Sequence, residues 1–420
     1  MADIWKSDDG KIRLYYGDCR KILTKNRKPF VTSVVTDPPY GLKFMGKGWD
    51  HGVPGVEFWK AIDRVCKSGA PLLAFGGTRT HHRLMSAIED SGWELRDCIM
   101  WVYGSGFPKS HNISKAIDKA AGAEREVVEK CRVSGGGMEH FNRTNAERHA
   151  YRPDGYQKGE NVLDITAPAT EAVKTWDGWG TALKPAYEPI ILAMKPLDGT
   201  FARNALEHGV AGLNIDGSRV NLADSEDVEK LNARSGGVRG FSDSAIYGSS
   251  KGLPSGCKME NGRWPANLIH DGSDEVVENF PVTESGAMKH KVGAYEGESN
   301  TNFLRGDSGP QNQHGDKGSA ARFFYCAKVS KSERTCRGKV ENKHPTVKPI
   351  TLMCYLLTLI EMPEENCILD PFMGSGSTAL ACIEKRLPFV GIDDDRESFD
   401  TAVARIRETI AEKRGISSVG

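Results

Sequence analysis

The chain has 420 residues, enough for one large hydrophobic core or two smaller ones. Its 56 basic and 56 acidic residues give a formal net charge of zero, which excludes a uniformly basic nucleic-acid-binding protein. The ten cysteines include no CxxC pair, so neither a zinc ribbon nor a disulfide framework is indicated and no metal site is predicted. No apolar run is long enough to span a membrane and the first residues lack a secretory-signal pattern, which predicts a cytoplasmic protein without a membrane partner.

The first quarter of the chain, residues 11–109, alternates short apolar runs with helical patterns. Runs rich in β-branched and aromatic residues predict strands at residues 12–16, 31–35, 71–75 and 98–102. Apolar residues at helical spacing predict helices at residues 58–66 and 79–89. This alternation predicts an α/β fold in which helices cover a parallel sheet.

The predicted strand at residues 31–35 leads directly into Asp37, Pro38, Pro39 and Tyr40. Two consecutive prolines end strand pairing and stiffen the chain, so a rigid start to a loop would explain them by itself. The carboxylate and the aromatic ring that flank the prolines favour a chemical role instead.

An exocyclic base amine is a poor nucleophile, because its lone pair is delocalised into the ring. If the Asp37 carboxylate and the Pro38 carbonyl both accept hydrogen bonds from the amine, its nitrogen becomes more tetrahedral and can attack a methyl group. Such preorganised acceptors stabilise the positive charge that develops on nitrogen. The Tyr40 ring could stack on a base flipped out of a duplex. All four residues of the tetrapeptide, Pro39 included, are therefore predicted to be catalytic.

The middle of the chain, residues 110–335, is rich in Gly, Ser and Asn. Such stretches bury too little apolar surface to order themselves, which predicts long loops that a ligand orders. An apolar run at residues 190–194 is a candidate strand that rejoins the sheet. The tryptophans Trp176, Trp179 and Trp264 could either pack on the core or contact DNA.

A basic stretch occupies residues 322–348 and leads into the C-terminal part of the chain. Solvated charge explains many such runs, but the position of this one favours contact with DNA phosphates. The residues predicted to make these contacts are Lys328, Lys331, Arg334 and Arg337.

The α/β pattern returns after residue 336. The predicted elements are helices at residues 350–360, 377–385 and 396–411 and strands at residues 367–369 and 389–392. Between the first strand and the second helix lies a turn in which Gly374, Gly376 and Ala379 fit the pattern G-x-G-x-x-A.

Three interpretations of this glycine turn compete. A tight strand–helix turn without a ligand explains the glycines equally well when the motif is taken alone. A dinucleotide site would place pyrophosphate at the following helix N-terminus, but Asp370 at the strand tip would repel pyrophosphate. That carboxylate suits a cationic ligand such as S-adenosylmethionine, and Asp393 lies where a ribose-binding acid is expected.

Five segments together resemble the amino-group DNA methyltransferases of the β arrangement, in which the Asp-Pro-Pro-Tyr motif precedes the cofactor motif. The segments are LYYGDC (14–19), VVTDPPYG (34–41), KHPTVKP (343–349), LDPFMGSGST (369–378) and VGID (390–393). The resemblance implies a Rossmann-like, S-adenosylmethionine-dependent core with a long, loop-rich inserted recognition region. Residues 1–110 and 336–420 would be the two halves of this core. Residues 111–335 would be the target-recognition region, with 184–196 as a core strand.

The resemblance also implies roles for individual residues. Asp370 would lie near the ammonium of the cofactor, Phe372 would shape its methionine pocket and Asp393 would hold its ribose hydroxyls. Asp18 and Cys19 match a position that approaches the adenine. The residues expected to contact the cofactor are Asp18, Cys19, Asp37, His344, Thr346, Lys348, Asp370, Pro371, Phe372, Gly374, Ser375, Gly376 and Asp393.

The predicted function is methyl transfer from S-adenosylmethionine to N6 of adenine in double-stranded DNA, at a specific sequence and with the base flipped out. In the family that the chain resembles, Asp at the first motif position goes mostly with adenine and Ser with cytosine. N4 of cytosine is therefore the alternative target. A homodimer and a cognate restriction endonuclease are the candidate protein partners.

Other functions fit the sequence less well. Methyltransferases acting on protein glutamine carry a similar Asn-Pro-Pro-Tyr after their cofactor motif, so the motif order here disfavours them, and RNA is a further alternative substrate. A DNA-binding protein without catalysis would tolerate decay of the tetrapeptide or the glycine turn, and both are intact. A dehydrogenase would need a proton-relay residue beside a nicotinamide, which the sequence does not identify.

Overall fold

A computed structural model of the protein describes residues 4–25, 28–41, 52–106, 110–132, 162–221, 262–285, 316–327, 340 and 347–414. The chain divides into two compact units, one formed by Met1–Gly104 with Tyr187–Gly420 and the other by Ser105–Ala186. Within these described ranges, no helix has the length and apolar character needed to cross a membrane.

The described helices and strands are short, apart from the last helix. The strands are β1 (Ile4–Lys6), β2 (Ile12–Tyr16), β3 (Ser33–Thr36), β4 (Pro71–Phe75), β5 (Glu94–Val102), β6 (Val127–Arg132), β7 (Val162–Thr166), β8 (Tyr187–Met194), β9 (Leu268–His270), β10 (Val282–Ser285), β11 (Asp316–Ser319), β12 (Tyr325–Cys326), β13 (Ile368–Asp370) and β14 (Phe389–Asp393). The α-helices are α1 (Cys19–Leu23), α2 (Val56–Val65), α3 (His81–Asp90), α4 (Ile113–Ala120), α5 (Glu171–Lys174), α6 (Phe201–His208), α7 (Asp274–Val277), α8 (Ile350–Ile360), α9 (Ser377–Lys385) and α10 (Arg396–Lys413). In the described part of the chain, 3-10 helices span Asp216–Ser218 and Ala320–Phe323.

Ten of the described strands form one sheet, in the order β1-β2-β14-β13-β3-β4-β8-β5-β9-β12. All of them run parallel except β1, which pairs antiparallel with β2, and β8, which lies antiparallel between β4 and β5. The centre of the sheet therefore combines β3 from the N-terminal part of the chain with β13 and β14 from the C-terminal part. The carboxyl ends of these three parallel strands lie at the same edge.

Helices cover both faces of the sheet. Val35 and Leu73 pack on the face covered by α8, α9 and α10, whereas their neighbours Val34 and Leu72 pack on the face covered by α1, α2 and α3. All four side chains are fully buried. Consecutive strand residues point to opposite faces, so a strand covered on both sides reads as the continuous apolar run seen in the sequence.

The predicted α/β fold is confirmed, and most predicted elements lie within a few residues of the observed ones. The strands predicted at 12–16 and 71–75 and the helices predicted at 350–360 and 377–385 coincide with β2, β4, α8 and α9. The strand predicted at 98–102 starts earlier, at Glu94, because β5 continues to pair with β8 through a largely exposed stretch with a register shift between Leu95 and Asp97. The run at 190–194 lies in the sheet as part of β8, which starts at Tyr187.

The unit Ser105–Ala186 contains α4, α5 and the antiparallel pair β6–β7. Its buried Asp118 accepts hydrogen bonds from the Arg125 guanidinium at 2.7 Å, the Thr170 hydroxyl at 3.2 Å and the Ala169 amide at 3.0 Å. The limits predicted for the recognition region, residues 111–335, remain a prediction. Its Gly- and Ser-rich stretches at 222–261 and 286–315 lie outside the described residues.

Candidate active site

Three predicted site segments meet at the carboxyl edge of the sheet. The tetrapeptide that starts at Asp37 follows β3, the glycine turn follows β13, and Asp393 ends β14. Leu369 of β13 pairs with Val34 of β3 and with Val390 of β14, which sets the three strand ends side by side. Ligands of open α/β sheets bind at this edge, so the topology makes it the candidate active site.

Asp370 joins the tetrapeptide strand to the glycine turn. Its carboxylate accepts hydrogen bonds from the Thr36 hydroxyl at 2.7 Å, the Thr378 hydroxyl at 2.6 Å and the Phe372 amide at 3.2 Å. The side chain is 1% exposed. Burial raises the pKa of Asp370 to about 6, although the three hydrogen bonds lower it. The site thus contains a buried acid that neutral pH ionises and mild acid protonates.

Asp393 supports the glycine turn from the other side. Its carboxylate oxygens accept hydrogen bonds from the Gly374 amide at 2.7 Å and the Asp395 amide at 2.9 Å. Burial raises the pKa of Asp393 to about 7, against the effect of these two bonds. A ligand hydroxyl that donates to this carboxylate would favour its ionised form.

The conformation of the turn requires glycine at position 376. Gly376 caps α9 with a φ of 84°, in the left-handed region. A Cβ at this position would lie 3.1 Å from the Cβ of Ala402 in α10. The turn is therefore pressed against α10, and no side chain fits between them without movement.

Arg405, also in α10, holds the same turn. It is fully buried, and its Nη1 donates hydrogen bonds to the Ser375 carbonyl oxygen at 2.6 Å and to the Ser375 Oγ at 3.1 Å. Arg405 was not predicted as a site residue, because an arginine within an amphipathic helix normally points to solvent. Asp393 and Arg405 together fix the turn from two elements that follow it in the chain.

Asp37 lies in a cluster of polar side chains that only the fold brings together. Lys348 Nζ lies 2.7 Å from Asp37 Oδ2 and 3.1 Å from Glu188 Oε2. The Tyr40 hydroxyl lies 2.8 Å from Asp37 Oδ1 and 3.0 Å from Glu188 Oε2. Stacking alone gives this hydroxyl no role, yet the structure places it between two carboxylates. We call Asp37, Tyr40, Tyr103, Glu188 and Lys348 the carboxylate cluster.

The cluster is only partly open to solvent. Lys348 is 6% exposed. Burial lowers the pKa of Lys348, but Asp37 and Glu188 outweigh burial and raise it. Burial, with Asp37 and Glu188, raises the pKa of Tyr40 well above its usual value. Burial and the hydrogen-bonded Glu188 raise the pKa of Tyr103 to about 12. Lysine and both tyrosines therefore keep their protons at neutral pH.

Glu188 and Tyr103 were not predicted as site residues. Glu188 lies near the start of β8, and because β8 runs antiparallel its start lies at the edge where its parallel neighbours end. The sequence offered one indication of Glu188, an acidic residue close to the fully apolar run of residues 190–194. That indication points to the site only once β8 is known to run antiparallel to its neighbours.

The structure places the residues just before α1 beside the end of β14, where Tyr16 pairs with Asp393. The Gly17 amide donates a hydrogen bond to the Asp393 carbonyl oxygen at 2.8 Å. The Asp18 carboxylate caps α1 and pairs with Arg20 at 2.7 Å, and this hydrogen bond lowers its pKa. Cys19 is buried, which raises the pKa of its thiol to about 12.

Phe372 follows the buried Pro371 and packs against aromatic residues of α2. Its ring centroid lies 5.7 Å from that of Phe58 and 6.4 Å from that of Trp59. Two other residues predicted to contact the cofactor, His344 and Thr346, lie outside the described residues, as do the four basic residues predicted to contact DNA, which are Lys328, Lys331, Arg334 and Arg337.

The three tryptophans that the sequence left between core and surface are exposed. The exposed fractions are 41% for Trp176, 59% for Trp179 and 62% for Trp264. Trp176 and Trp179 contact each other edge to face in the unit Ser105–Ala186, with ring centroids 5.4 Å apart. Exposed aromatic rings of this kind are available to a partner.

Among solved structures, the M1.HpyAVI complex with S-adenosylmethionine aligns over 94% of this chain and 99% of that chain, at 16% identity and a TM-score of 0.38. A likeness at this level adds nothing to the assignment, which depends on sequence.

Two relatives and a family profile match the sequence of this chain. Type II methyltransferase M2.MboI of Moraxella bovis is 34% identical over 70 residues, which are 17% of this chain and span only 25% of that protein. Type II methyltransferase M.HindIII of Haemophilus influenzae is 31% identical over 355 residues, which cover 84% of this chain and 68% of that protein. The profile of the N6/N4 DNA methylases matches residues 31–404, a range that runs from β3 through the carboxylate cluster to α10. The chain therefore belongs to the N6/N4 DNA methylase family, as its motifs predicted.

Proposed function

We propose that this protein is a site-specific DNA methyltransferase that methylates N6 of adenine. The observation that carries the proposal is the meeting of the Asp37–Tyr40 tetrapeptide with the glycine turn at one sheet edge. The link between them is direct, since the hydroxyl of Thr36 donates to Asp370 across 334 residues of chain. The tetrapeptide and the glycine turn, to which we assign the amine and the cofactor, thus share one sheet edge.

The cofactor of the family is S-adenosylmethionine, and the residues at the turn fit it. Burial raises the pKa of Asp370 to about 6 and that of Asp393 to about 7, which means that it disfavours their ionised forms. A ligand that brings cationic groups and hydroxyl donors would stabilise both ionised carboxylates. Pyrophosphate would add negative charge to the same place. Phe372 would offer an apolar wall. When bound, the cofactor supplies a methyl group on a positively charged sulfur.

The tetrapeptide would hold and activate the target amine. The Asp37 carboxylate and the Pro38 carbonyl oxygen are acceptors for its two hydrogens, and Pro38 has no N–H to compete for them. Lys348 Nζ and the Tyr40 hydroxyl each engage one oxygen of Asp37, which fixes the direction of its remaining lone pairs. The Tyr40 ring would stack on the flipped base. Positioning and electrostatics, rather than a covalent intermediate, would provide the rate.

Adenine is supported over cytosine by Asp37 itself, because Asp at this motif position goes mostly with adenine in the family. Sequence-specific action on duplex DNA is supported by the type II methyltransferases among the relatives.

The exposed Trp176 and Trp179 offer stacking surfaces that a nucleic acid could use. A cognate restriction endonuclease and a second copy of this chain are the protein partners to test, by co-purification and light scattering.

The proposal is tested by incubating the purified protein with labelled S-adenosylmethionine and duplex DNA, followed by nucleoside analysis. We expect label in N6-methyladenine, and native sequencing of the product should show it within one short sequence. Label in N4-methylcytosine would correct the target base and leave the cofactor and mechanism in place. An unlabelled product with DNA of varied sequence would refute the proposal.

A further inference from the structure

Glu188 is the member of the carboxylate cluster that no motif assigns. It enters the site from β8, the strand that lies antiparallel between β4 and β5. One of its oxygens lies 3.1 Å from Lys348 Nζ and 3.0 Å from the Tyr40 hydroxyl. The Tyr103 hydroxyl bonds to Glu188 as well. Glu188 therefore contacts the same two groups that engage Asp37.

The protons available in the cluster do not satisfy both carboxylates fully. The Tyr40 hydroxyl has one proton, so it can donate to Asp37 or to Glu188 but not to both at once. Lys348 has three protons and lies within 3.2 Å of Asp37, Glu188 and the Tyr40 oxygen. Glu188 thus competes with Asp37 for the single Tyr40 proton and shares with Asp37 the positive charge of Lys348.

The charges of the cluster are also unequal. Two carboxylates face one ammonium, so the cluster carries one net negative charge when both acids are ionised. Lys348 is nearly inaccessible to solvent, and charges in such surroundings are screened weakly. In the proposed function, the target amine binds to Asp37 and its nitrogen gains positive charge during methyl transfer. The net negative charge of the cluster would therefore lie close to that nitrogen.

We propose that Glu188 is a positioning residue for methyl transfer, an inference that rests on the proposed function. Glu188 shares the charge of Lys348 and competes for the Tyr40 proton, so Asp37 is balanced less completely by these two groups. The Asp37 carboxylate therefore stays a strong hydrogen-bond acceptor for the amine. Without Glu188, Lys348 and Asp37 would form a neutral pair, and the amine would meet an acceptor whose charge is already balanced. The effect acts through Asp37 and requires no contact between Glu188 and the substrate.

The pH dependence of activity separates this role from a purely structural one. Among the described residues, the titratable groups that face the Asp37–Glu188 pair are Tyr40, Tyr103, Lys348 and Asp370. The first three keep their protons up to high pH, because the pKa of each is raised. Asp370, whose pKa burial raises to about 6, is present in every variant, so its titration contributes to the acid limb of all of them.

The experiment compares Glu188→Gln with Lys348→Met in single-turnover methyl transfer, measured across pH with saturating cofactor. Glu188→Gln removes a like charge from beside Asp37, so the acid limb of the rate should move to lower pH. Lys348→Met leaves two unbalanced carboxylates together, so the acid limb should move to higher pH, by about 1–3 pH units. At neutral pH we expect Glu188→Gln to lose about tenfold or more in rate, somewhat less than the loss of a direct transition-state partner.

Two further variants control for folding and for charge. Glu365→Gln makes the same substitution at an exposed position and should keep the wild-type rate and pH profile. Glu188→Asp retains the charge and should keep the wild-type acid limb even if its rate falls.

The outcomes distinguish this inference from the proposed function. An active wild type whose Glu188→Gln variant shows an unchanged rate and acid limb would overturn the inference alone. Equal shifts in the same direction for Glu188→Gln and Lys348→Met would also overturn it. A wild type that methylates no DNA would overturn the proposed function and this inference with it.

Discussion

Substituting Gly376 with alanine should destabilise the protein and weaken cofactor binding. At a φ of 84° the alanine backbone is in the left-handed region, which costs a residue with a Cβ about 1–2 kcal/mol. The new Cβ would also lie 3.1 Å from the Ala402 Cβ and 3.4 Å from its Cα, and overpacking of this kind costs about 1–3 kcal/mol. The expected loss in free energy of unfolding is the sum of these effects, about 2–5 kcal/mol.

Gly209 provides the matched control. It ends α6 with a φ of 67°, and a Cβ built there has no atom within 4 Å. Gly209→Ala therefore pays for the backbone conformation alone, and any change in the entropy of the unfolded chain is common to both variants. The difference between the two variants should be the overpacking against Ala402, about 1–3 kcal/mol.

Urea unfolding followed by tryptophan fluorescence measures this difference, and calorimetry with S-adenosylhomocysteine measures the effect on the site. Ala402→Gly costs about 1 kcal/mol by itself, because it places glycine within a helix, but it should cost less in Gly376→Ala than in the wild type, because there it also removes the methyl group that the new Cβ meets. A Gly376→Ala variant no less stable than Gly209→Ala, or an equal cost of Ala402→Gly in both backgrounds, would contradict this prediction.

Three other predictions concern Asp37 and Asp393 of the site and the exposed Trp179. Asp37→Ala should lower the methyl-transfer rate by about 10²–10³-fold, with cofactor and DNA affinity retained, and rapid transfer by this variant would reduce the tetrapeptide to a rigid strand exit. The affinity for S-adenosylhomocysteine should fall as pH is lowered through about 7, because ribose hydroxyls donate to the ionised form of Asp393, whose pKa is about 7. The stability of the ligand-free protein should depend on pH in the opposite direction. Because folding raises the pKa of Asp393, its contribution to stability is lost as pH rises from the unfolded pKa near 3.8 to about 7. Asp393→Asn should remove the pH dependence of affinity in calorimetry and that of stability in thermal unfolding. Trp179→Ala should weaken DNA binding by about 1–3 kcal/mol in a fluorescence titration, while an unchanged affinity would exclude this ring from the DNA contact.

The sequence predicted the strands at the centre of the sheet and the motifs that follow them. Strands covered on both faces read as unbroken apolar runs, so their positions follow from local composition, as β4 shows. The tetrapeptide and the glycine turn each follow such a strand, and parallel neighbours end at the same edge. The structure makes the two strands neighbours and places Asp37 and Asp370 at one edge, and their roles in a site stay a prediction.

The supporting residues could not be predicted in this way. Thr36 and Thr378 hold Asp370 through hydroxyls that local sequence does not distinguish from ordinary strand and helix residues. Arg405 reaches Ser375 from a helix that begins twenty residues after the turn, and its burial depends on how α10 packs. Glu188 acquires its position from the antiparallel direction of β8. Each of these contacts is a tertiary pairing, and residue patterns report only the local part of such information.

The order of strands also constrains how the protein can be made. β3 lies between β4 and β13, so during synthesis one of its edges has no partner until residues 368–370 have left the ribosome. An unpaired strand edge in an apolar sheet readily joins other chains, and contacts between distant residues form slowly. A nascent chain that contains the first half of the site would therefore depend on protection from aggregation for most of its translation. Stalled or truncated products that lack β13 should be insoluble rather than partly active.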